Sequence, residues 1–300
     1  MRSPCIISIL LATVTFATMA QGKEGLMNIV NMGDSFASGV GARAQDGSMN
    51  YEGPFGCFRS PATWAAQYAE SAGATTFVNV ACASGVTGQV TTSRGFGTVS
   101  KWPWQGCPSS KWDDEYYTPN GKWSCKRHVM PQRDAIKNHT NPDSNMNPTD
   151  LVLLTMGAND VQFAVPAASC FVLLTMGEQR CRDALEKSFS MLAQVEEDMA
   201  NALAAIGEYL DPRAKVVVFY YPLYVMDVGY KLGSISPDAD EQVRTLLAGL
   251  NQAVHNAATA GSRTNWVEAR LDCTALDLTG IQRKTGRSGA HWYWQELRRY

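Results

Sequence analysis

Leu26-Met27-Asn28-Ile29-Val30-Asn31-Met32-Gly33-Asp34-Ser35 joins an apolar run to a tight turn. An apolar run without helical spacing predicts a strand buried on both faces, as in a parallel sheet. Gly33 lets the chain turn sharply, and Ser35 then stands outside the strand's carboxyl end, where open α/β sheets bind ligands. The small residues Ala37-Ser38-Gly39-Val40-Gly41 allow a substrate close to the backbone. Gly-Asp-Ser is also ordinary turn chemistry, so other parts of the chain decide whether Ser35 is a nucleophile.

Two further strand ends supply the context. Gly157-Ala158-Asn159-Asp160 follows the apolar run 151–156, and Gly85 follows the strand-like segment 75–80. A serine, a glycine and an asparagine would thus reach one edge of one sheet. Acyl transfer needs such a set: a hydroxyl attacks a carbonyl, and preorganised N–H donors meet the developing oxyanion. The backbone N–H groups of Ser35 and Gly85 and the side-chain amide of Asn159 are the candidate donors.

The rest of the chain alternates strands with helices. Strands are expected at 26–32, 75–80, 151–156, 215–221 and 265–269. Leu185, Phe189, Leu192, Val195, Met199, Leu203, Ile206 and Leu210 recur at helical spacing and predict one helix over 183–210. Asp183 with Glu186 would cap its start, and Asp211-Pro212 would stop it. A second helix is expected from Ser236-Pro237, burying Val243, Leu247, Leu250 and Val254. Such alternation argues for a parallel sheet covered on both faces. Residues 91–148, rich in Gly, Pro, Asn and Trp, fit no such unit and read as a long excursion over the sheet edge. Its tryptophans, Trp102, Trp104, Trp112 and Trp123, would pack that excursion against itself, form a sugar-stacking platform or make a lid for acyl chains.

The order and spacing of Gly33-Asp34-Ser35, Gly85 and Gly157-Ala158-Asn159-Asp160 resemble the SGNH hydrolases, the GDSL esterases and lipases. Cys57-Phe58-Arg59-Ser60, Ala81-Cys82-Ala83-Ser84-Gly85-Val86-Thr87, and Asn159-Asp160-Val161-Gln162-Phe163 with Cys170 and Cys181 resemble segments of the family's secreted members. The likeness covers residues 26–270. It implies a three-layer, flavodoxin-like α/β sandwich around a central parallel sheet of about five strands. It further implies a serine carboxylic-ester hydrolase, with Ser35 as nucleophile, an oxyanion hole of Ser35, Gly85 and Asn159, and no cofactor or metal. By the same resemblance Cys57 pairs with Cys82 and Cys170 with Cys181. Adjacency suggests Cys107 with Cys125, leaving Cys273 over.

Residues 1–20 read as a signal peptide: Arg2 is basic, 5–16 is apolar, and Ala17-Thr18-Met19-Ala20 offers a cleavage site. The run is short for a transmembrane helix, which needs about 20 apolar residues. A secreted, monomeric protein with one domain over 21–300 is therefore expected, with no integral membrane segment. Asn138-His139-Thr140 is a glycosylation sequon in keeping with export. A net charge of −2 gives no electrostatic reason to bind nucleic acid. The expected partner is a small-molecule or polymeric ester.

The general base is the weakest part of the pattern. Among four histidines, His128 and His139 precede the Asn159 block and His255 falls inside a predicted helix as a surface or packing residue, so His291 alone lies near the C-terminus, where the family's base is found. The family's aspartate three residues before it and proline after it are replaced by Ser288 and Trp292. The tail 282–300 is atypical, basic and tryptophan-rich. A Ser35–His291 dyad is the leading reading. The alternative is a catalytically impaired protein of this fold that binds carbohydrate or surfaces.

Overall fold

The strands at the middle of the sheet hold apolar runs because both of their faces are covered. A computed structural model describes residues 27–44, 46–54, 56–100, 124–136, 148–172, 177–221, 237–260 and 266–269. Five parallel strands form the central sheet: β1 (Asn28–Gly33), β2 (Thr76–Asn79), β5 (Leu151–Thr155), β6 (Lys215–Phe219) and β7 (Trp266–Ala269), in the order β2-β1-β5-β6-β7. Counted within this sheet alone, that order is 2-1-3-4-5, the flavodoxin-like winding, and its direction reverses between β1 and β5. Val30 pairs with Val78 on one side and Val152 on the other, so β1 is central. β3 (Arg94–Ser100) and β4 (Ser124–Val129) form a separate antiparallel ribbon within the expected excursion.

Alternation sorts the side chains to two faces. Ile29, Leu151, Leu153 and Phe219 pack against Trp64, Ala65 and Ala69 of α2 (Trp64–Ser71). Val30, Met32, Val152, Leu154, Val216 and Val218 face the opposite layer. That layer is built from α5 (Leu192–Tyr209) and α6 (Pro237–Ala260), through residues such as Met199, Leu203, Leu250 and Val254. α1 (Ser35–Ser38) and α3 (Ala164–Ala167) are single turns at strand ends.

The helix expected over 183–210 is two helices. α4 (Gly177–Ser190) and α5 are separated at Met191, whose N–H donates to the Ser188 carbonyl at 3.2 Å. They serve different clusters: Cys181 and Leu185 of α4 pack with Cys170, Val243 and Leu246, while α5 lies on the sheet. Asp183 does not cap a start. It sits inside α4 and accepts from Gln179 Nε2 at 2.6 Å. The expected disulfides Cys57–Cys82 and Cys170–Cys181 are both formed. The Cys107–Cys125 pairing, Cys273, Asn138, the four excursion tryptophans, and segments 1–20 and 282–300 lie wholly or in part outside the described residues.

Candidate active site

The first strand end is built around Gly33, whose φ of 135° suits glycine. A Cβ there would lie 2.1 Å from the Thr155 carbonyl oxygen of the neighbouring strand. The Asp34 N–H donates to that same carbonyl at 3.0 Å, which carries the pairing into the turn. Asp34 then caps α1: the Phe36 N–H donates to its Oδ1 at 2.9 Å. Caps of this kind stabilise by about 1 kcal/mol. The far end of α1 is held from outside. Asn31 Nδ2 and Thr63 Oγ1 donate to the Ala37 carbonyl at 2.8 and 3.0 Å, and the Trp64 indole donates to the Phe36 carbonyl at 3.2 Å. Those carbonyls would otherwise be unmatched at a helix terminus. Ser35 is the first residue of this fixed turn and is half-buried, reachable from solvent.

Gly85 comes against this turn. A Cβ on it would meet the Cys82 carbonyl oxygen at 2.8 Å, the Gly33 carbonyl oxygen at 3.0 Å and Asp34 Cα at 3.5 Å. Only glycine allows so close an approach. Asn159 completes the group, its Nδ2 donating to the Gly85 carbonyl at 2.8 Å. That bond uses one amide proton of Asn159, and the amide carries a second. The Gly85 N–H donates to the Cys82 carbonyl at 2.8 Å. Its expected donation to an oxyanion would have to be shared with that carbonyl.

Asp160 ties the Asn159 turn to the Gly85 segment. The Thr87 N–H donates to its two carboxylate oxygens at 3.0 and 3.2 Å, and the Thr87 hydroxyl donates at 2.6 Å. Burial raises the Asp160 pKa, and the Thr87 bonds oppose that rise. Asp34 is buried completely, which pushes its pKa up to about 7 against the opposing bonds from Tyr221 and the Phe36 N–H. Both carboxylates thus fix turns.

Several contributors are not apparent in the sequence. The Tyr221 hydroxyl donates to Asp34 Oδ2 and accepts from the Ala158 N–H at 3.0 Å. Gln132, from the excursion, grips the Gly33 backbone at both its polar groups: the Gly33 N–H donates to its Oε1 at 2.7 Å, and its Nε2 donates to the Gly33 carbonyl at 2.9 Å. Gln132 thereby satisfies backbone at the buried strand end without another strand. Thr87 carried a signal, two residues after Gly85. Tyr221 and Gln132 carried none beyond proximity to a strand end and a loop.

His291 lies outside the described residues. His255, expected on a helix as a surface or packing residue, sits on α6 with its Nδ1 3.0 Å from the Tyr220 hydroxyl. Among the described residues, no three His, Cys, Asp or Glu side chains converge as a metal ion would require, and no helix is long and apolar enough to cross a membrane. The arrangement can present a hydroxyl to a carbonyl while N–H groups face the oxygen of the same carbonyl.

Comparison with known proteins bears on the family and the fold. The sequence profile described as GDSL-like Lipase/Acylhydrolase matches residues 29–292. A lipase from Streptomyces rimosus is 28% identical over 237 residues, 77% of this chain and 64% of that protein. The chain therefore spans a little under two thirds of that relative's length. The crystal structure of the extracellular lipase from Streptomyces rimosus superposes with a TM-score of 0.53 at 22% identity, covering 81% of this chain and 80% of that one. Phospholipase A1 from Streptomyces albidoflavus NA297 gives a TM-score of 0.54 at 19% identity, covering 85% and 83%. At such identities these two structures speak for the fold.

Proposed function

Since the chain belongs to the GDSL-like Lipase/Acylhydrolase family, we propose that it is a secreted serine carboxylic-ester hydrolase working through an acyl-enzyme. One observation carries the reading: the Gly85 backbone lies against Gly33 and Asp34 beside Ser35, while the Asn159 amide meets the Gly85 carbonyl at 2.8 Å. This contact supports a nucleophile and donors meeting at the sheet's switch point, where open α/β sheets bind ligands.

In this mechanism Ser35 Oγ attacks the ester carbonyl carbon and passes its proton to His291. The Ser35 N–H, the Gly85 N–H shared with the Cys82 carbonyl, and the second Asn159 amide proton hold the oxyanion. His291 returns the proton to the leaving alcohol. Water then attacks the acyl-enzyme, His291 again carries the proton, and the carboxylic acid leaves with Ser35 restored. His291 has the right place in chain order and falls inside the family match, which ends at residue 292. Two disulfides fit an oxidising, extracellular setting. Acyl lipids come first among substrates because a lipase and a phospholipase A1 are among the similar proteins. Short-chain esters and acetylated polysaccharide follow.

Hydrolysis of p-nitrophenyl acetate by the wild type and Ser35→Ala tests this. The rate is expected to fall by at least about 10³-fold in the variant. Equal rates above background would remove Ser35 from the chemistry. No turnover by either protein, with carbohydrate binding retained, would favour the impaired-scaffold alternative raised by Ser288 and Trp292.

A further inference from the structure

Tyr221 follows β6 and is 2% exposed, yet it places a hydroxyl between two different strand ends. That hydroxyl donates to Asp34 Oδ2, next to Ser35, and accepts from the Ala158 N–H, next to Asn159. We infer that Tyr221 is a positioning residue for the proposed ester cleavage, its hydroxyl locking the Ser35 turn to the Asn159 turn at one fixed spacing. The inference rests on the reading of Ser35 and Asn159 given above.

Three features make the link rigid. Asn251 of α6 holds the Tyr221 backbone from both sides: the Tyr221 N–H donates to Asn251 Oδ1 at 2.8 Å, and Asn251 Nδ2 donates to the Tyr221 carbonyl at 2.8 Å. The Tyr221 ring meets Phe36 edge-to-face, with centroids 5.1 Å apart. An ionised Asp34 can only accept, so it fixes the hydroxyl proton toward itself and leaves the tyrosine oxygen to the Ala158 N–H. Sliding either strand end breaks one of the two bonds. A misplacement of about 1 Å between reacting groups costs on the order of 100-fold in rate.

The link also carries a pH signature. The groups facing the Asp34 carboxyl are the Tyr221 hydroxyl, the Phe36 N–H of α1 and the Asp160 carboxylate beyond β5. Asp160 in turn feels Asp198 of α5. The Tyr221 bond draws the Asp34 pKa down toward about 7, so its loss moves that pKa higher. The ionised carboxylate also accepts from the Phe36 N–H that caps the Ser35 turn, a bond the variant keeps, so the acid limb of the rate moves to higher pH with it.

Tyr221→Phe keeps the ring and removes only the hydroxyl. With p-nitrophenyl acetate it is expected to lower kcat about 10- to 100-fold, leave KM within about twofold, and shift the acid limb of kcat/KM to higher pH. A general loss of structure would lower the rate at every pH without moving the limb. Tyr220→Phe, whose hydroxyl pairs with His255 instead, is expected to leave rate and limb unchanged. Hydrogen exchange gives a readout independent of turnover, because Tyr221→Phe is expected to speed exchange of the Ala158 amide. Faster exchange in a chain that shows no Ser35-dependent turnover would uphold the link and reject the esterase reading. Unchanged kcat, acid limb and Ala158 exchange in Tyr221→Phe would overturn the inference.

Discussion

Asp34 and Asp160 sit at neighbouring strand ends, one just before the serine and the other just after the asparagine, and they do different work. Asp34 turns back on its own segment, capping α1 two residues on, and is fully sealed from water. Asp160 reaches outward to Thr87, 73 residues away, and is only half-buried. The first turn is capped through Oδ1 and tied through Oδ2 to Tyr221, 187 residues away. The second is a tether that brings a separate segment, with Gly85, to the same point. One residue type in two similar motifs thus serves its own turn and a distant tyrosine in one place, and gathers a separate chain segment in the other.

The glycines that open the two turns offer the harshest way to break this contrast. At Gly33 a Cβ would run into the Thr155 backbone oxygen at 2.1 Å, whereas at Gly157 it would meet the Leu250, Val195 and Val254 methyl groups at 3.3 to 3.6 Å. Both have positive φ, at 135° and 125°. Gly33→Ala is therefore expected to cost about 4–6 kcal/mol and Gly157→Ala about 1–3 kcal/mol, read from denaturant melts. Equal losses would mean that the backbone contact at Gly33 yields as easily as side chains do.

The next test uses pH. The folded Asp34 holds its proton up to about 7, against an ordinary value of 3.8. Between those values the unfolded chain releases a proton that the folded chain keeps, so the folded state binds more protons there. Stability then falls as pH rises from about 4 to about 7, by up to about 4 kcal/mol from this group, and levels off above. Asp34→Asn is expected to remove that component of the slope. A slope identical in the two proteins would show that Asp34 ionises normally in the fold.

Thr87→Val sharpens the other half of the comparison with a smaller effect. It removes the 2.6 Å hydroxyl bond and keeps the backbone one. A loss of about 1–2 kcal/mol is expected, because the bond is to a charged group. The Asp160 pKa should rise further, since that bond opposes the rise due to burial. Titration of Asp160 by NMR in both proteins checks it, and an unmoved value would dismiss the tether.

Much of this was legible in the sequence for a physical reason. The inner strands β1, β5 and β6, covered on both faces, need apolar runs, and all five strands stood out with ends shifted by at most two residues. Ser35, Gly85 and Asn159 were legible because close backbone approach demands glycine beside them. The break at Met191 was not, because Phe189, Leu192 and Val195 keep helical spacing across it while the two helices face different clusters. Tyr221 and Gln132 were hidden for another reason. Their partners lie 187 and 99 residues away in sequence, and nothing in local periodicity says that Tyr221 rather than Tyr220 meets Asp34.

Covalent capture of Ser35 by a fluorophosphonate, located by mass spectrometry in the wild type and in Asn159→Ala, tests most directly whether these two residues act on one substrate atom. The expected result is label on the Ser35 peptide, with a rate lower by about 10²- to 10³-fold once the amide is gone. Label on a different serine, or the same rate in both proteins, would contradict a shared oxyanion site.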